Sequence, residues 1–170
     1  MDAGGAVSGA VGRLRTARLV LRPWTMPEAN AVLAGRRLSG WSADFPDADS
    51  AEQAAWALEA LPDPFGFRLV VERSSKLVVG SVGLEGRPSE VQAELFFALV
   101  PSLRGRGYAT EAVRALTAHA FEASEVEAVF AHVEPSNPAS VRVLEKAGFV
   151  PAGPVTEKGT VRYAAPPPSV

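Results

Sequence analysis

An apolar segment that ends at Pro101 and leads into a glycine- and arginine-rich loop constrains the fold of this chain more than any other feature. The residues before Pro101 have the apolar content of a buried strand, and those after Gly107 repeat alanine, valine and leucine at helical spacing. The first turn of such a helix has N–H groups without intrahelical acceptors, and these attract anions. The segment therefore predicts a strand–loop–helix unit with an anion-binding site at the loop.

Two glycines and two arginines give this loop the chemistry of a pyrophosphate site. Gly105 and Gly107 carry no Cβ, so a phosphate can approach their backbone, and Arg104 and Arg106 can neutralise its charge. An ordinary glycine turn with surface arginines is the alternative interpretation. No P-loop motif occurs, and Thr110 stands where a dinucleotide fingerprint has its third glycine, so nucleoside triphosphates and dinucleotides are disfavoured.

The other segments predict one mixed α/β domain in the order β-α-α-β-β-β-α-β-α-β-β. Capping-box patterns predict one helix from Thr25 to about Leu38 and a second from Ser50 to about Leu61, where Pro62 ends it. The long helix follows Gly107. Six of the seven predicted strands have limits set by the sequence: Arg18–Arg22, Phe67–Glu72, Leu77–Leu84, Gln92–Val100, Ala128–Val133 and Thr160–Ala164. The last helix is Pro138–Ala147.

Composition excludes several functional classes. The chain of 170 residues suits one domain, and its net charge of −2 offers no basic excess for binding nucleic acid. It contains no cysteine, which removes disulfides, thiolate metal sites and cysteine nucleophiles. His119 and His132 lack metal-ligand spacing, and no apolar run is long enough to span a membrane. We expect a soluble cytoplasmic protein without bound metal, with loose tails at 1–14 and 165–170 around a domain at 15–164.

Two motifs resemble those of one enzyme family. The pattern Arg-x-x-Gly-x-Ala at 104–109, after an apolar strand, is similar to the acetyl-coenzyme A loop of the GNAT acyltransferase superfamily. The pattern Asn-x-x-Ser followed by Lys-x-Gly-Phe at 137–149 is similar to its second motif. The resemblance covers about Thr16 to Tyr163 and is greatest for the Rim-type branch, the ribosomal-protein N-terminal acetyltransferases and their relatives with small-molecule acceptors. It implies a mostly antiparallel sheet, flanked by helices, that splays at the cofactor site.

The resemblance also implies a role for each motif residue. Backbone amides at the end of the strand bind the pantetheine arm, and they can stabilise the oxyanion of the tetrahedral intermediate. Asn137 is implied to contact the cofactor at the mouth of the gap between the strands. The alternative is that it serves as the N-cap of the helix that begins at Pro138. Arg142 and Lys146 either approach the 3′-phosphate or are solvated helix charges. The implied cofactor contacts are Phe97, Ala98, Leu99, Val100, Arg104, Gly105, Arg106, Gly107, Tyr108, Ala109, Thr110, Asn137 and Ser140.

Ser140 and Glu94 are the candidate catalytic residues. Many family members carry a tyrosine seven residues after the motif asparagine, but this chain has Leu144 there. Ser140, three residues after Asn137, stands where Rim-type members carry a serine, and the resemblance implies that it donates a hydrogen bond to the leaving thiolate. The alternatives are water as the donor and a structural role for this serine in the first helical turn. Glu94 is a carboxylate in an otherwise apolar strand, suited to take a proton from the acceptor, directly or through water. An exposed strand start is the alternative for Glu94.

The expected function is an acetyl-coenzyme A-dependent N-acetyltransferase with coenzyme A as its product. A primary amine, on a small molecule or a protein N-terminus, would attack the thioester directly in a ternary complex. A catalytically silent acyl-coenzyme A sensor is the alternative. By resemblance, one loop flanks the entrance for the acceptor, and its acidic and aromatic residues favour a cationic amine; they are Trp41, Asp44, Phe45, Asp47 and Asp49. The alternative is a solvated loop with a small local core. Whether the protein is a homodimer stays open.

Overall fold

The computed structural model describes residues 12–59, 66–85, 91–123 and 126–167. A 3₁₀ turn, Pro101–Leu103, stands between the fifth strand and the third helix. The elements are β1 (Leu14–Arg15), β2 (Leu19–Pro23), α1 (Met26–Leu33), α2 (Ala48–Glu59), β3 (Phe67–Glu72), β4 (Val78–Glu85), β5 (Gln92–Leu99), α3 (Tyr108–Ala123), β6 (Ala128–Val133), α4 (Pro138–Lys146), β7 (Val150–Pro151) and β8 (Val161–Ala164). This order confirms the predicted mixed α/β class and adds β1 at its start.

The eight strands form one open sheet in the order β1-β2-β3-β4-β5-β6-β8-β7. Every neighbouring pair is antiparallel except β5 and β6, which run parallel. The β5–β6 pairing stops at Glu94, which lies opposite Phe130, while β5 continues to Leu99 paired with β4. The two strands therefore part beyond Glu94, and the splayed sheet of the prediction is confirmed.

The helices α2 and α3 cover opposite faces of this sheet. Trp56 of α2 packs on Phe67 of β3, with ring centroids 5.3 Å apart. Tyr108 of α3 donates a hydrogen bond of 2.7 Å to Glu72, also in β3. Because successive side chains of a strand point to opposite faces, odd-numbered residues of β3 face α2 and even-numbered residues face α3.

Two helix boundaries differ from the prediction. The capping box at Thr25 and Glu28 is confirmed, but α1 ends at Leu33 rather than near Leu38. Gly35 follows in the left-handed region, with φ of +69°, which ends the helix. The helix α2 begins at Ala48 because Asp47 is its capping residue: its Oδ1 accepts hydrogen bonds from Ser50 N at 2.9 Å and from Ser50 Oγ at 2.5 Å.

The regular structure extends slightly into both predicted tails. Leu14 pairs with Leu21 in β1, and the Ala165 N–H donates a hydrogen bond of 2.8 Å to Val129 O. Residues 1–11 and 168–170 lie outside the described residues, as does the predicted end of α2 near Leu61. Within the described ranges, no helix combines the length and apolarity that crossing a membrane requires.

Candidate active site

A cavity of about 240 Å³ lies along the gap where β5 leaves β6. It brings together most of the predicted cofactor contacts, from β5, the loop and the start of α4. Val100 and Arg106 do not line it. The predicted residues that do are Phe97, Ala98, Leu99, Arg104, Gly105, Gly107, Tyr108, Ala109, Thr110, Asn137 and Ser140, joined by Asp49, Ala139, Arg142, Val143 and Lys146.

Val100 is unsuited to the backbone role that the sequence suggested. Its side chain is buried, and its N–H already donates a hydrogen bond of 2.9 Å to Val79 O of the neighbouring strand β4. Along an antiparallel pair, successive N–H groups alternate between the partner strand and the opposite side. Two residues earlier, the N–H of Ala98 therefore also points to β4, where Ala98 lies opposite Ser81.

The same alternation directs the N–H groups of Phe97 and Leu99 into the gap. The Leu99 carbonyl, on the same side of the strand as its own N–H, accepts a hydrogen bond of 3.1 Å from Arg104 Nε. Beyond Glu94, no described strand pairs with β5 on this side. Phe97 and Leu99 are thus the two positions in this part of β5 whose backbone amides can reach a ligand in the cavity.

The loop before α3 requires glycine at two positions. Gly105 and Gly107 have φ of +80° and +82°, in the left-handed region that side chains with a Cβ rarely adopt. A Cβ at Gly105 would meet no protein atom within 4 Å. A Cβ at Gly107 would lie 3.3 Å from Arg18 Nη2. Gly105 therefore leaves space beside the cavity, whereas Gly107 accommodates a neighbouring arginine.

Arg18 holds this loop from its outer side, a role that the sequence did not reveal. Its Nη1 donates a hydrogen bond of 2.8 Å to Arg106 O, and its guanidinium lies 4.3 Å from the centroid of the Tyr108 ring. Its Nε donates to Glu111 at 2.9 Å. Burial alone would raise the pKa of Glu111, but hydrogen bonds from Thr16 and Arg18 outweigh burial and lower it. Arg18 is distant along the chain, so no local pattern indicates this contact.

Tyr108 is the tyrosine that lines the cavity, and its hydroxyl is already engaged. It donates to Glu72 Oε2 at 2.7 Å, which raises the pKa of Tyr108 and lowers the pKa of Glu72. The hydrogen bond fixes the first residue of α3 to β3. Tyr108 therefore positions the loop rather than offering a free proton donor.

The start of α4 contributes Asn137 and Ser140. Asn137 is the N-cap, since its Oδ1 accepts a hydrogen bond of 3.2 Å from Ser140 N, and it also lines the cavity. The Ser140 side chain is partly exposed in the same cavity. Leu144, where many family members have a tyrosine, is fully buried in the core. Ser140 is thus the hydroxyl that α4 presents to the cavity.

Glu94 lies at the base of the gap but does not line the cavity. Its Oε1 is 2.9 Å from His132 Nδ1 on β6, and both side chains are about one-quarter to one-third exposed. Phe96, two residues along β5, packs on Trp56, so Glu94 shares the face of the sheet that α2 covers. The sequence indicated only that His132 lacks metal-ligand spacing, and it gave no sign of this pairing, which depends on the register of two strands.

The loop between α1 and α2 is a packed structure rather than an open aromatic entrance. Trp41 and Phe45 are buried, with ring centroids 5.2 Å apart, so the alternative of a small local core is correct for them. Asp44 accepts hydrogen bonds from Ser102 N at 2.9 Å and from Ser42 Oγ at 2.7 Å. These bonds, the Ser102 amide first, lower the pKa of Asp44 to about 2. Asp44 thereby joins this loop to the 3₁₀ turn before the glycine loop.

Comparisons with known proteins agree with this geometry. A family model described as "Acetyltransferase (GNAT) domain" matches residues 18–150. The uncharacterized N-acetyltransferase YjdG of Bacillus subtilis (strain 168) is 30% identical over 113 residues, which is 63% of this chain and 67% of that protein. The crystal structure of an acetyltransferase from Agrobacterium tumefaciens str. C58 has a TM-score of 0.65 at 26% identity, covering 91% of this chain and 94% of that one.

A more distant structure shows the same fold. It is a chimera of the spermidine N-acetyltransferase SpeG from Vibrio cholerae and hSSAT, with a TM-score of 0.65 at 21% identity, covering 88% of this chain and 95% of that one. The family model covers most of the chain, including the splayed strands and the glycine loop. This chain therefore belongs to the GNAT family of acetyltransferases.

Proposed function

We propose that the protein is an acetyl-coenzyme A-dependent N-acetyltransferase that acts on a primary amine, carried by a small molecule or by a protein N-terminus. The observation that supports this most directly is the cavity in the gap between β5 and β6. There the glycine loop, the gap-facing amides of Phe97 and Leu99 and the start of α4 converge. The domain at 15–164 would carry the whole site, and the lack of cysteine suits the reducing cytoplasm.

The residues of the cavity fit coenzyme A. Its phosphates match the loop, where Gly105 leaves open space and Arg104, Arg142 and Lys146 supply positive charge. The amides of Phe97 and Leu99 suit the amide-bearing pantetheine arm, because they stand on an unpaired strand edge. When bound, acetyl-coenzyme A supplies a thioester whose carbonyl carbon accepts the amine nitrogen.

The chain's own residues then serve the transfer in a ternary complex. The gap-facing amides stabilise the oxyanion that forms when nitrogen attacks the thioester carbon. Glu94 receives the proton that the acceptor ammonium must lose, directly or through water, while the nearby His132 holds the carboxylate in place. Ser140 donates a hydrogen bond to the sulfur as the carbon–sulfur bond breaks. The absence of cysteine agrees with direct transfer, without a thioester on the protein.

Release of free thiol from acetyl-coenzyme A tests the proposal. The acceptor panel comprises peptides with varied N-terminal residues, amino acids, polyamines and aminoglycosides. We expect thiol release that depends on both substrates, together with an acetylated amine detected by mass spectrometry. The Rim-type resemblance favours peptides within this panel. Tight binding of acetyl-coenzyme A without release for any acceptor would instead support the silent sensor.

A further inference from the structure

The cavity connects the two faces of the sheet through the gap. Asp49 belongs to α2, which covers one face, yet it lines the same cavity as Gly105 and Gly107 before α3, which covers the other. A cavity lined from both sides must pass between the parted strands. A ligand on the glycine loop and a second ligand on the side of α2 can therefore meet in the gap.

Hydrogen bonds fix the first turn of α2 beside this gap. The buried Ser50 Oγ lies 2.5 Å from Asp47 Oδ1 and 3.4 Å from Ser81 Oγ on β4. Ser81 lies directly opposite Ala98, which is one of the β5 residues that line the cavity. Asp49, adjacent to Ser50, is therefore held at the level of the cavity.

Charge is distributed unevenly over the cavity. Arg104, Arg142 and Lys146 come from the loop and from α4. Asp49 is the carboxylate among the cavity-lining residues, and it forms no salt bridge within the part of the chain that the structure describes. A carboxylate would repel the phosphates of coenzyme A, so its counterpart in the gap is a cation.

We infer that Asp49 binds the ammonium group of the acceptor and thereby selects amines that carry no carboxylate next to the amine. The inference rests on the proposed acetyl transfer and deepens it by defining the acceptor class. Peptide N-termini, amino-acid amides and polyamines belong to that class. Free amino acids do not, because their own carboxylate would be repelled by Asp49. Asp49 is thus a specificity-determining residue, whereas Glu94 receives the proton.

A permanent cation tests this binding separately from catalysis. Benzyltrimethylammonium cannot be acetylated, and its affinity for the coenzyme A-loaded protein can be measured by calorimetry. We expect Asp49→Asn to weaken its binding by about threefold to fivefold, the loss expected for one partly exposed ion pair. The matched control is Glu52→Gln, which removes an exposed carboxylate from the same helix outside the cavity and should leave the affinity unchanged.

Acceptor selection is tested with a matched pair of competitors. At about pH 6, where amines are protonated, phenylalaninamide should displace benzyltrimethylammonium from the wild type and free phenylalanine should not. In Asp49→Asn, the abilities of phenylalaninamide and free phenylalanine to displace benzyltrimethylammonium should become more alike. The melting temperature and the coenzyme A affinity of each variant serve as controls, because an acidic residue also stabilises the first turn of a helix.

Three results would overturn the inference: no binding of benzyltrimethylammonium to the wild type, equal binding to Asp49→Asn, or a loss of coenzyme A affinity in that variant. Failure of the proposed function has a different signature: the wild type would then either not bind coenzyme A, or bind acetyl-coenzyme A without releasing thiol for any acceptor.

Discussion

Ser140 stands in the first turn of α4 with its side chain at the cavity, and Leu144 is buried below it. If the Ser140 hydroxyl stabilises the departing thiolate, Ser140→Ala should lower kcat by about tenfold, with little change in the affinity for acetyl-coenzyme A. The reason is that the hydrogen bond strengthens only as charge develops on sulfur. Steady-state kinetics with the best acceptor, together with calorimetry for the cofactor, measure the two quantities.

The matched control is Ser136→Ala, an exposed serine in the loop before α4 that does not line the cavity. It should retain wild-type kcat. Equal losses of affinity and turnover in Ser140→Ala would show that the hydroxyl serves the structure of the cavity. A fall of only twofold to threefold would assign the proton to water.

Glu94 leads to a prediction about pH. Glu94→Gln keeps the size of the side chain and removes the proton acceptor beside His132. We expect kcat/KM to fall by about a hundredfold at neutral pH and to recover at alkaline pH, where free amine is abundant. The pH profile of kcat/KM, measured for both proteins, is the readout. A variant with wild-type activity throughout would remove Glu94 from the mechanism.

Single residues also show where sequence reasoning succeeds and where it fails. Gly105, Asn137 and Ser140 could be found because each belongs to a short motif whose chemistry is local. Arg18 and His132 could not, because each acts on a partner that only the tertiary structure brings near. The predicted second helix began only at Ser50, one residue after Asp49, because the place of Asp49 in the first turn of α2 depends on the capping bonds of Asp47.

At the scale of elements, the glycine loop can be tested with two glycines that have nearly the same conformation. Gly105 and Gly159 have φ of +80° and +79°, and a Cβ at either would meet no protein atom within 4 Å. Alanine at either position should therefore cost a similar strain, about 1 to 2 kcal/mol. Gly105 lines the cavity and Gly159 does not, so only Gly105→Ala should impair binding of acetyl-coenzyme A.

The measurement is the rise in melting temperature on adding the cofactor. At a hundred times its Kd, acetyl-coenzyme A should stabilise the wild type by about 2.7 kcal/mol, or roughly 5 to 11 °C. Gly159→Ala should show the same rise, and Gly105→Ala should lose at least half of it. An equal rise in both variants would place the phosphates elsewhere. Gly107→Val is less informative, because its Cβ would also disturb Arg18.

Among the elements, those with strong local signals matched their predictions best. The predicted strand Ala128–Val133 has the observed limits, and the helical spacing of apolar residues correctly predicted the long helix after Gly107. The predicted end of α1 was wrong because the left-handed Gly35 ends the helix before the apolar pattern does. The parting of β5 from β6 has no local signal at all, since it is a property of pairing between strands, and the family resemblance alone suggested it.

For the whole molecule, Asp44 links two regions that flank the cavity, and its ionisation should be visible in global stability. Its folded pKa of about 2 lies below the ordinary value of 3.8. A depressed pKa stabilises the folded state above the unfolded pKa, and this contribution is lost as the pH falls from about 4 towards 2. Asp44→Asn should therefore lower the free energy of unfolding at neutral pH. The difference in this free energy between the variant and the wild type should shrink as the pH falls from about 4 towards 2.

Urea unfolding followed by tryptophan fluorescence, repeated between pH 7 and about 2, measures this difference. Glu28 and Glu111, whose pKa values are also lowered, contribute equally to both proteins and cancel in the comparison. Glu52→Gln is again the control, since its exposed carboxylate should give no such trend. A constant difference between Asp44→Asn and the wild type at every pH would show that the carboxylate is not the source of the stability.

The parting of β5 and β6 also bears on how this protein avoids self-association. A strand with unpaired backbone groups is a template on which another chain can add a strand, and it commonly lies at the outer margin of a sheet. Here the unpaired side of β5 faces β6, α4 and the loop before α3, inside the molecule. A ligand in the cavity can reach that margin, but the margin does not lie along the outer edge of the sheet, where a second protein copy would add a strand. The fold thus offers backbone recognition to a small molecule while withholding it from aggregation.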